Sequence, residues 1–594
     1  MTRTSLCLAC LMLTGSWIPV LADVVVREPV VAELHQLFDD AWDQDMRDSP
    51  VWASMLGDRR FNRQWADTSE DARARRKTAY EQQLNRLSQI DRELLDEDEL
   101  VNYELFDDEV RDRLEAMQFR TDLMPISQRG GIQTLDETGN RLRMQTLADY
   151  EDWLARLTQI DQLVTQTIAQ LEMGIDQGMV PPRITMSRVP AQIAKQVVEN
   201  PEESLFFEPF RRLPEGWSPS EKIRIQSEAK SVIERVVIPA YQTLYTYFTE
   251  VYLPACRDEI GASSLPDGKA FYEYRVRRFT TTDMTPDEVH DLGLSEVARI
   301  RSEMMVIKSQ VGFAGTLTEF FKFLRDDPQF YFEDADDLLK EYQAVSKQID
   351  PKLVLLFNKL PRMPYGIKVI PEAVAPDTTT AYYSRPAADG SRPGYFWVNL
   401  YEPLSRPKFE IEVLTVHEAV PGHHLQIALQ QELESLPNFR RYSGYTVFTE
   451  GWGLYSERLG EDMGLYQDPY SKFGQLSYDM WRAVRLVVDT GMHYKNWTRE
   501  QAIRFFMENA PRKELDIVNE IDRYISWPGQ ALAYKVGQLK MWSLRERASA
   551  ELGERFDLKR FHDRMLSQGA IPLSLLETLM LDWIEEEKAR TAEF

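Results

Sequence analysis

Apolar residues recur at three- and four-residue intervals over most of this chain, and that period is the tightest limit on its fold. In "VVAELHQLFDDAWDQDM" (residues 30–46) and "YEQQLNRLSQIDRELLDEDELVNYELFDDEVRDRLEAM" (80–117) the apolar side chains fall on one side of a 3.6-residue turn, with charges between them. Helix starts are written in as well. Ser218-Pro219-Ser220-Glu221 and Thr285-Pro286-Asp287-Glu288 each supply an N-cap hydroxyl, a proline at the first helical position and a glutamate at the third. Thr498-Arg499-Glu500-Gln501 repeats the capping-box spacing. No fixed repeat length appears, which argues against a regular solenoid.

One stretch departs from the pattern. Residues 361–400, "PRMPYGIKVIPEAVAPDTTTAYYSRPAADGSRPGYFWVNL", hold two β-prone runs, "YGIKVI" and "GYFWVNL", separated by turn residues. The expectation is a mainly α protein: a large two-lobed helical body around a deep cleft, with a small β-sheet just before residue 417. No strong linker divides the chain, so residues 23–594 read as one helical domain. Its chemistry-bearing motifs lie in 361–594.

The opening "MTRTSLCLACLMLTGSWIPVLA" (1–22) has a basic residue, a short apolar run and small residues at the expected cleavage positions. It reads as a signal peptide cut before Asp23, which places the protein in the periplasm or outside the cell. Lipid attachment at Cys10 is the weaker alternative, since Cys7-Leu8-Ala9 is a poor lipobox. No other run is long and apolar enough to span a bilayer. Cys256 is then the lone mature cysteine, and a buried, inert thiol is expected. The net charge of −25 argues against nucleic acid or an anionic membrane as partner.

Histidine is where the chemistry concentrates. The chain has seven, and three of them sit in "VHEAVPGHHLQ" (416–426). His417-Glu418 begins like the zinc-peptidase pattern H-E-x-x-H, but Pro421 stands where the second histidine belongs. His417 and His423, six apart, point roughly 120° away from each other in a regular helix. His417 and His424 share a face but lie about 10.5 Å apart along the axis. Pro421 interrupts the hydrogen-bond ladder and Gly422 tolerates the backbone that follows. A bulge absorbing two residues would give His417 and His423 an effective four-residue spacing.

Two imidazoles need a carboxylate to complete a zinc site. "YTVFTEGWGLYSERLG" (445–460) offers Glu450 as third ligand, with Gly451 and Gly453 leaving the helix bare beside it. Glu457, seven residues on, is the second choice, an outer partner to a ligating histidine, or a surface charge paired with Arg458. Glu418 is placed to act as general base. In "YDMWRAVRLVVDTGMHYKNW" (478–497), Arg485, Asp489 and His493 fall at four-residue steps. Asp489 would hold the His493 ring so that its imidazolium steadies an oxyanion, or the three would form a structural ladder. Arg523, Tyr524 and Tyr534 surround a further Pro-Gly. The tyrosines are candidate oxyanion donors and Arg523 a candidate grip for a substrate carboxylate, or these aromatics serve structural packing alone.

"HEAVPGHHLQ", "TEGWGLYSERLG", "VVDTGMHYKNWTREQAI" and "WPGQALAYKVGQ", with "PVWASMLGDRRFN" near the start, resemble the large bacterial family known as domain of unknown function 885. The resemblance implies a mostly helical zinc metallopeptidase, similar to the gluzincin clan of thimet oligopeptidase and angiotensin-converting enzyme. Those are helical clams with a channel for short peptides. It implies His417, His423 and Glu450 as metal ligands, His423 rather than His424, and Glu418, His493 and Tyr534 as catalytic groups. "GYFWVNL" is expected to act as the edge strand that aligns the peptide. Two other readings remain: a metal-dependent amidase acting on a non-peptide or cell-wall amide, and a non-catalytic helical binding protein.

Overall fold

The computed structural model describes residues 18–590 apart from 373, 374, 378 and 443; of residues 18–27 and 377 it describes the backbone alone. The expected signal peptide therefore lies largely outside the described residues, with its last positions in the helix Ile18–Asp48. Among the described residues no helix is long and apolar enough to cross a membrane.

The chain is mainly helical, as its periodicity requires. The capping boxes at Ser218, Thr285 and Thr498 all form, each hydroxyl accepting the third backbone N–H while the third side chain reaches back. The run 80–117 is two helices, Glu70–Leu87 and Glu97–Ala116, instead of one continuous pattern. Asp96 explains the restart: its carboxylate caps Glu99 N–H, which a helix passing through it would have committed elsewhere.

Buried side chains form two large separate hydrophobic clusters. One is drawn from residues 126–256 and includes Trp153, Phe206, Tyr241 and the free Cys256; burial pushes that thiol up to about 12. The other gathers the remaining helices around the C-terminal half.

Seven helices of the second cluster position the site: α1 (Pro286–Gln310), α2 (Ile411–Glu418), α3 (His423–Gln431), α4 (Thr446–Asp462), α5 (Pro469–His493), α6 (Glu514–Ser526) and α7 (Ala533–Leu552). Helix α5 is the axis, with every residue from Phe473 to His493 buried. Its polar side chains must therefore find partners inside the protein. Asp479 meets Lys535 of α7 at 2.6 Å and Arg299 of α1 at 2.8 Å. Close approach of α1 is set by Gly293, where a Cβ would lie 2.7 Å from Leu486. Helices α4 and α7 touch at Gly451 and Gly537, where a Cβ on Gly451 would lie 2.6 Å from the Gly537 Cα.

A three-stranded sheet precedes α2: β1 (Tyr365–Val369), β2 (Ala381–Ser384) and β3 (Gly394–Val398), in the order β1-β3-β2. β3 runs parallel to β1 (Ile367 opposite Phe396) and antiparallel to β2 (Tyr383 opposite Phe396). This corrects the expectation for "GYFWVNL". β3 is the central strand, its backbone groups are spent on two neighbours, and it has no free edge for a peptide.

Candidate metal centre

The segment 416–424 does not form one bulged helix. α2 stops at Glu418 and α3 begins at His423, with Ala419 (φ −99°, ψ −108°) and Gly422 (φ −72°, ψ −127°) off the helical region and a cis bond between Val420 and Pro421. The hydrogen bonds nonetheless keep the predicted arithmetic. Gly422 N–H donates to Val416 O, six residues back, at 2.9 Å, and His424 N–H to Ala419 O, five back, at 3.0 Å. An α-helix closes four back, so the turn takes up two extra residues. Only glycine fits at 422, because a Cβ there would lie 2.0 Å from His417 O. The result brings the His417 and His423 rings to a centroid separation of 4.6 Å with their planes at 80°.

Helix α4 lies across this pair. Gly453 lets the His417 ring rest on the helix, since a Cβ would come 2.9 Å from its Cε1. Trp452 Nε1–H donates to Pro421 O at 2.8 Å, tying the turn to α4. His417 Nδ1 lies 2.9 Å from Glu457 Oε1, so the carboxylate accepts a hydrogen bond from Nδ1–H and turns Nε2 toward Glu450. Glu457 is wholly buried, and its cation is Arg482 of α5 at 3.5 Å. Arg458, the partner considered from sequence, lies instead over the Trp542 ring.

Glu450 Oε2 faces both rings, 3.4 Å from His423 Nε2 and 3.7 Å from His417 Nε2. One ligand atom from each of the three residues falls within 4.8 Å of the others. Two ligands bonded at 2.0–2.1 Å to one tetrahedral ion are separated by about 3.3–3.4 Å. The spacing therefore suits an ion of that size, and the donor set, two nitrogens and an oxygen, suits zinc. Glu450 Oε2 and His423 Nδ1 are buried without any hydrogen-bond partner. Burial pulls the His417 ring down, but the carboxylates of Glu450 and Glu457 outweigh it and raise it to about 9. Burial pushes Glu450 up, and the facing His423 and His417 more than reverse this, holding it well below the usual carboxylate range.

His424 is committed elsewhere. Its Nδ1 pairs with Tyr383 OH of β2 at 2.9 Å and its Nε2 with Met363 O at 3.0 Å, and burial lowers it to about 4. Glu418 ends α2, is buried beside His417, and makes no hydrogen bond or ion pair among the described residues.

The expected role of His493 needs correction. Its Nδ1 accepts from Ala262 N–H at 3.0 Å and its Nε2 donates to Tyr524 O at 3.0 Å, and burial lowers it to about 3. A neutral ring with both nitrogens spent on backbone offers no imidazolium to an oxyanion. Asp489 does not hold it either: its Oδ1 accepts from Tyr272 OH at 2.6 Å and from Gly529 N–H at 3.0 Å. Tyr534 stands at the start of α7 with Arg485 4.5 Å from its ring centre. Tyr524 OH is taken by Arg485, Trp481 and Glu520. Sequence reasoning missed Arg482 and Tyr383, which lock Glu457 and His424; each acts across elements distant in the chain, so no local spacing marks it.

Residues 50–580 match the family described as "Bacterial protein of unknown function (DUF885)", and the chain belongs to that family. It is similar to the solved structure described as "the putative lipoprotein from Colwellia psychrerythraea", at 30% identity and a TM-score of 0.89, covering 93% of this chain and 99% of that one. A second, described as "a putative lipoprotein of unknown function from Shewanella oneidensis", shares the fold at 18% identity and a TM-score of 0.70, covering 92% of this chain and 99% of that one. No curated protein matches the chain.

Proposed function

We propose that the protein is an exported zinc-dependent peptidase acting on short peptides. The observation that carries this reading is the convergence of His417, His423 and Glu450 on a common point, with the buried Glu450 Oε2 left without a hydrogen-bond partner. A buried carboxylate oxygen facing two imidazole nitrogens is costly unless a cation shares it.

His417 Nε2, His423 Nε2 and Glu450 Oε2 would hold the ion, and Glu457 fixes His417 in the required tautomer. When bound, zinc supplies Lewis acidity toward water and toward the substrate carbonyl. Glu418 follows the ligand His417 directly, and its carboxylate takes a proton from the attacking water and passes it to the leaving amine nitrogen. With three protein residues able to hold it, in place of the four that close a structural zinc site, a bound zinc would remain accessible to substrate. The similar Colwellia psychrerythraea protein is described as a lipoprotein, and this, together with residues 1–22, supports an exported location.

Glu418→Gln tests the assignment. Elemental analysis should find one zinc per chain in both wild type and variant, while hydrolysis of a peptide library falls by about 10²–10⁴-fold in the variant. Full turnover by Glu418→Gln would remove Glu418 from the mechanism.

A further inference from the structure

A second charged cluster lies inside the same core, and its charges do not balance. Arg485 of α5 and Arg523 of α6 both address one carboxylate. Arg485 Nη2 donates to Glu520 Oε2 at 3.1 Å, and Arg523 Nη2 stands 3.3 Å from the same oxygen. Tyr524 OH donates to that oxygen as well, at 2.7 Å, while accepting from Arg485 Nε at 2.7 Å. Arg129 is a third cation whose charge reaches Glu520, and its guanidinium makes no hydrogen bond or ion pair among the described residues.

Three guanidinium groups thus share one carboxylate. Asp489, one turn beyond Arg485, is close enough for its charge to be felt by Arg523, but among the described residues it makes no hydrogen bond or ion pair to either arginine: Tyr272 and Gly529 take its Oδ1, and its Oδ2 has no hydrogen-bond partner. Arg485 Nη1 and Arg523 Nε are buried donors without acceptors, and Arg523 Nη2 meets Glu520 as an ion pair without a hydrogen bond. The Arg485 side chain is only 4% exposed, so bulk solvent screens it little. Buried charged donors left unpaired are expensive, and a protein keeps them where a ligand completes them.

The position of the cluster says which ligand. Arg485 packs on the ring of Tyr534, three residues and about 4.5 Å of helix rise before Gly537. Gly537 in turn touches Gly451, the neighbour of Glu450. The cationic cluster and the candidate metal centre therefore both border the first turns of α7, one through Tyr534 and the other through the Gly451–Gly537 contact.

We propose that Arg485, Arg523 and Arg129 bind the C-terminal carboxylate of a peptide whose scissile bond lies at the His417–His423–Glu450 site, so that short pieces are removed from peptide C-termini. This rests on the peptidase reading above. A carboxylate presents two oxygens in one plane, which match the fork of a guanidinium, and its charge offsets part of the surplus. Every linear peptide carries one, whatever its sequence. Arg523 Nε and Nη2 would take one oxygen each, and Arg485 Nη1 and Arg129 would close around them.

Calorimetric titration of the zinc-loaded Glu418→Gln protein with three peptides tests this: a free-acid hexapeptide, its C-terminal amide, and an amide ending in Glu. The free acid should bind on the order of 10- to 100-fold more tightly than its amide, the worth of hydrogen bonds to a charged group. Adding Arg523→Met should erase that preference. Arg129→Met, at a partly exposed position where no side-chain hydrogen bond or ion pair among the described residues is lost, should reduce it. Equal binding of acid and amide, binding of neither, or a preference that survives both variants overturns the proposal. So does a Glu-terminated amide bound as tightly as the free acid, which would assign the site to an acidic side chain. Hydrolysis by the wild-type protein separates the two readings. An acid preference with no cleavage of any peptide sinks the peptidase alone; cleavage of acid and amide alike, with no preference in binding, sinks the carboxylate site alone.

Discussion

Two histidine–carboxylate sets stand on neighbouring helices of this protein, and by spacing they look alike. One joins His417 and His423 to Glu450 and Glu457; the other places Asp489 and His493 one turn apart on α5. They differ in where the ring nitrogens go. His417 gives Nδ1 to Glu457, and both His417 and His423 turn Nε2 toward a single Glu450 oxygen that makes no hydrogen bond. His493 gives both nitrogens to backbone, and Asp489 looks away to Tyr272 and Gly529. Spacing decides which side chains share a helix face, but not what lies opposite that face. Polar atoms left over once the fold has used what it needs mark a ligand site more sharply than composition does.

The contrast is broken most directly at Glu450. Glu450→Ala removes one of the three converging donors, so the purified variant should lose its zinc on exhaustive dialysis and lose hydrolysis with it. Full occupancy by elemental analysis would mean that the three residues share no ion. A smaller effect is expected one step out. Glu457→Gln still accepts the His417 Nδ1 proton but drops the charge, and outer partners of this kind are worth about 10–100-fold in metal affinity. Competition with a chromophoric chelator measures that, and an unchanged affinity would reduce Glu457 to a partner of Arg482 alone.

Much of this was legible in the sequence. Helical period, capping boxes and the β-prone stretch before residue 400 are local signals, and local physics decided them. The convergence of His417 and His423 was readable because Pro421-Gly422 leaves few ways to continue a chain; the two-residue correction follows from the missing N–H of proline. What was not legible is non-local. Nothing in "GYFWVNL" says that β2, from "AYYS", will occupy its second edge. His493 was misassigned because its partners, Ala262 N–H and Tyr524 O, are backbone groups that every residue has. Arg482 was passed over because its partner lies in another helix.

At the other half of the comparison the expected effects fall on stability. His493→Ala strands Ala262 N–H and Tyr524 C=O in the core, at about 1–3 kcal/mol each. The thermal midpoint should drop while zinc content and hydrolysis by the folded protein hold. A variant that keeps its midpoint and loses activity would return His493 to the chemistry.

The smallest effect is expected at Asp489, and it carries a pH signature. Burial raises this carboxyl to about 7, with Tyr272, Gly529 and Arg275 opposing the shift only in part. A folded-state value above the unfolded one, near 3.8, means that ionised Asp489 costs stability. The cost appears as pH rises above about 4, grows to about 7, and is constant beyond. Asp489→Asn removes the charge, and its Oδ1 still accepts from Tyr272 and Gly529. Its amide hydrogens, however, would occupy the place of Oδ2, which has no partner, and that returns part of the gain. The variant should therefore be more stable than wild type by about 1 kcal/mol at pH 8, with the difference falling and changing sign as pH drops toward 4, read from thermal midpoints at matched ionic strength. A difference that stays flat across that range would show that Asp489 is ionised at no cost. The α5 set would then hold a charge as the metal-facing set does, and the line between the two would have to be drawn on geometry alone.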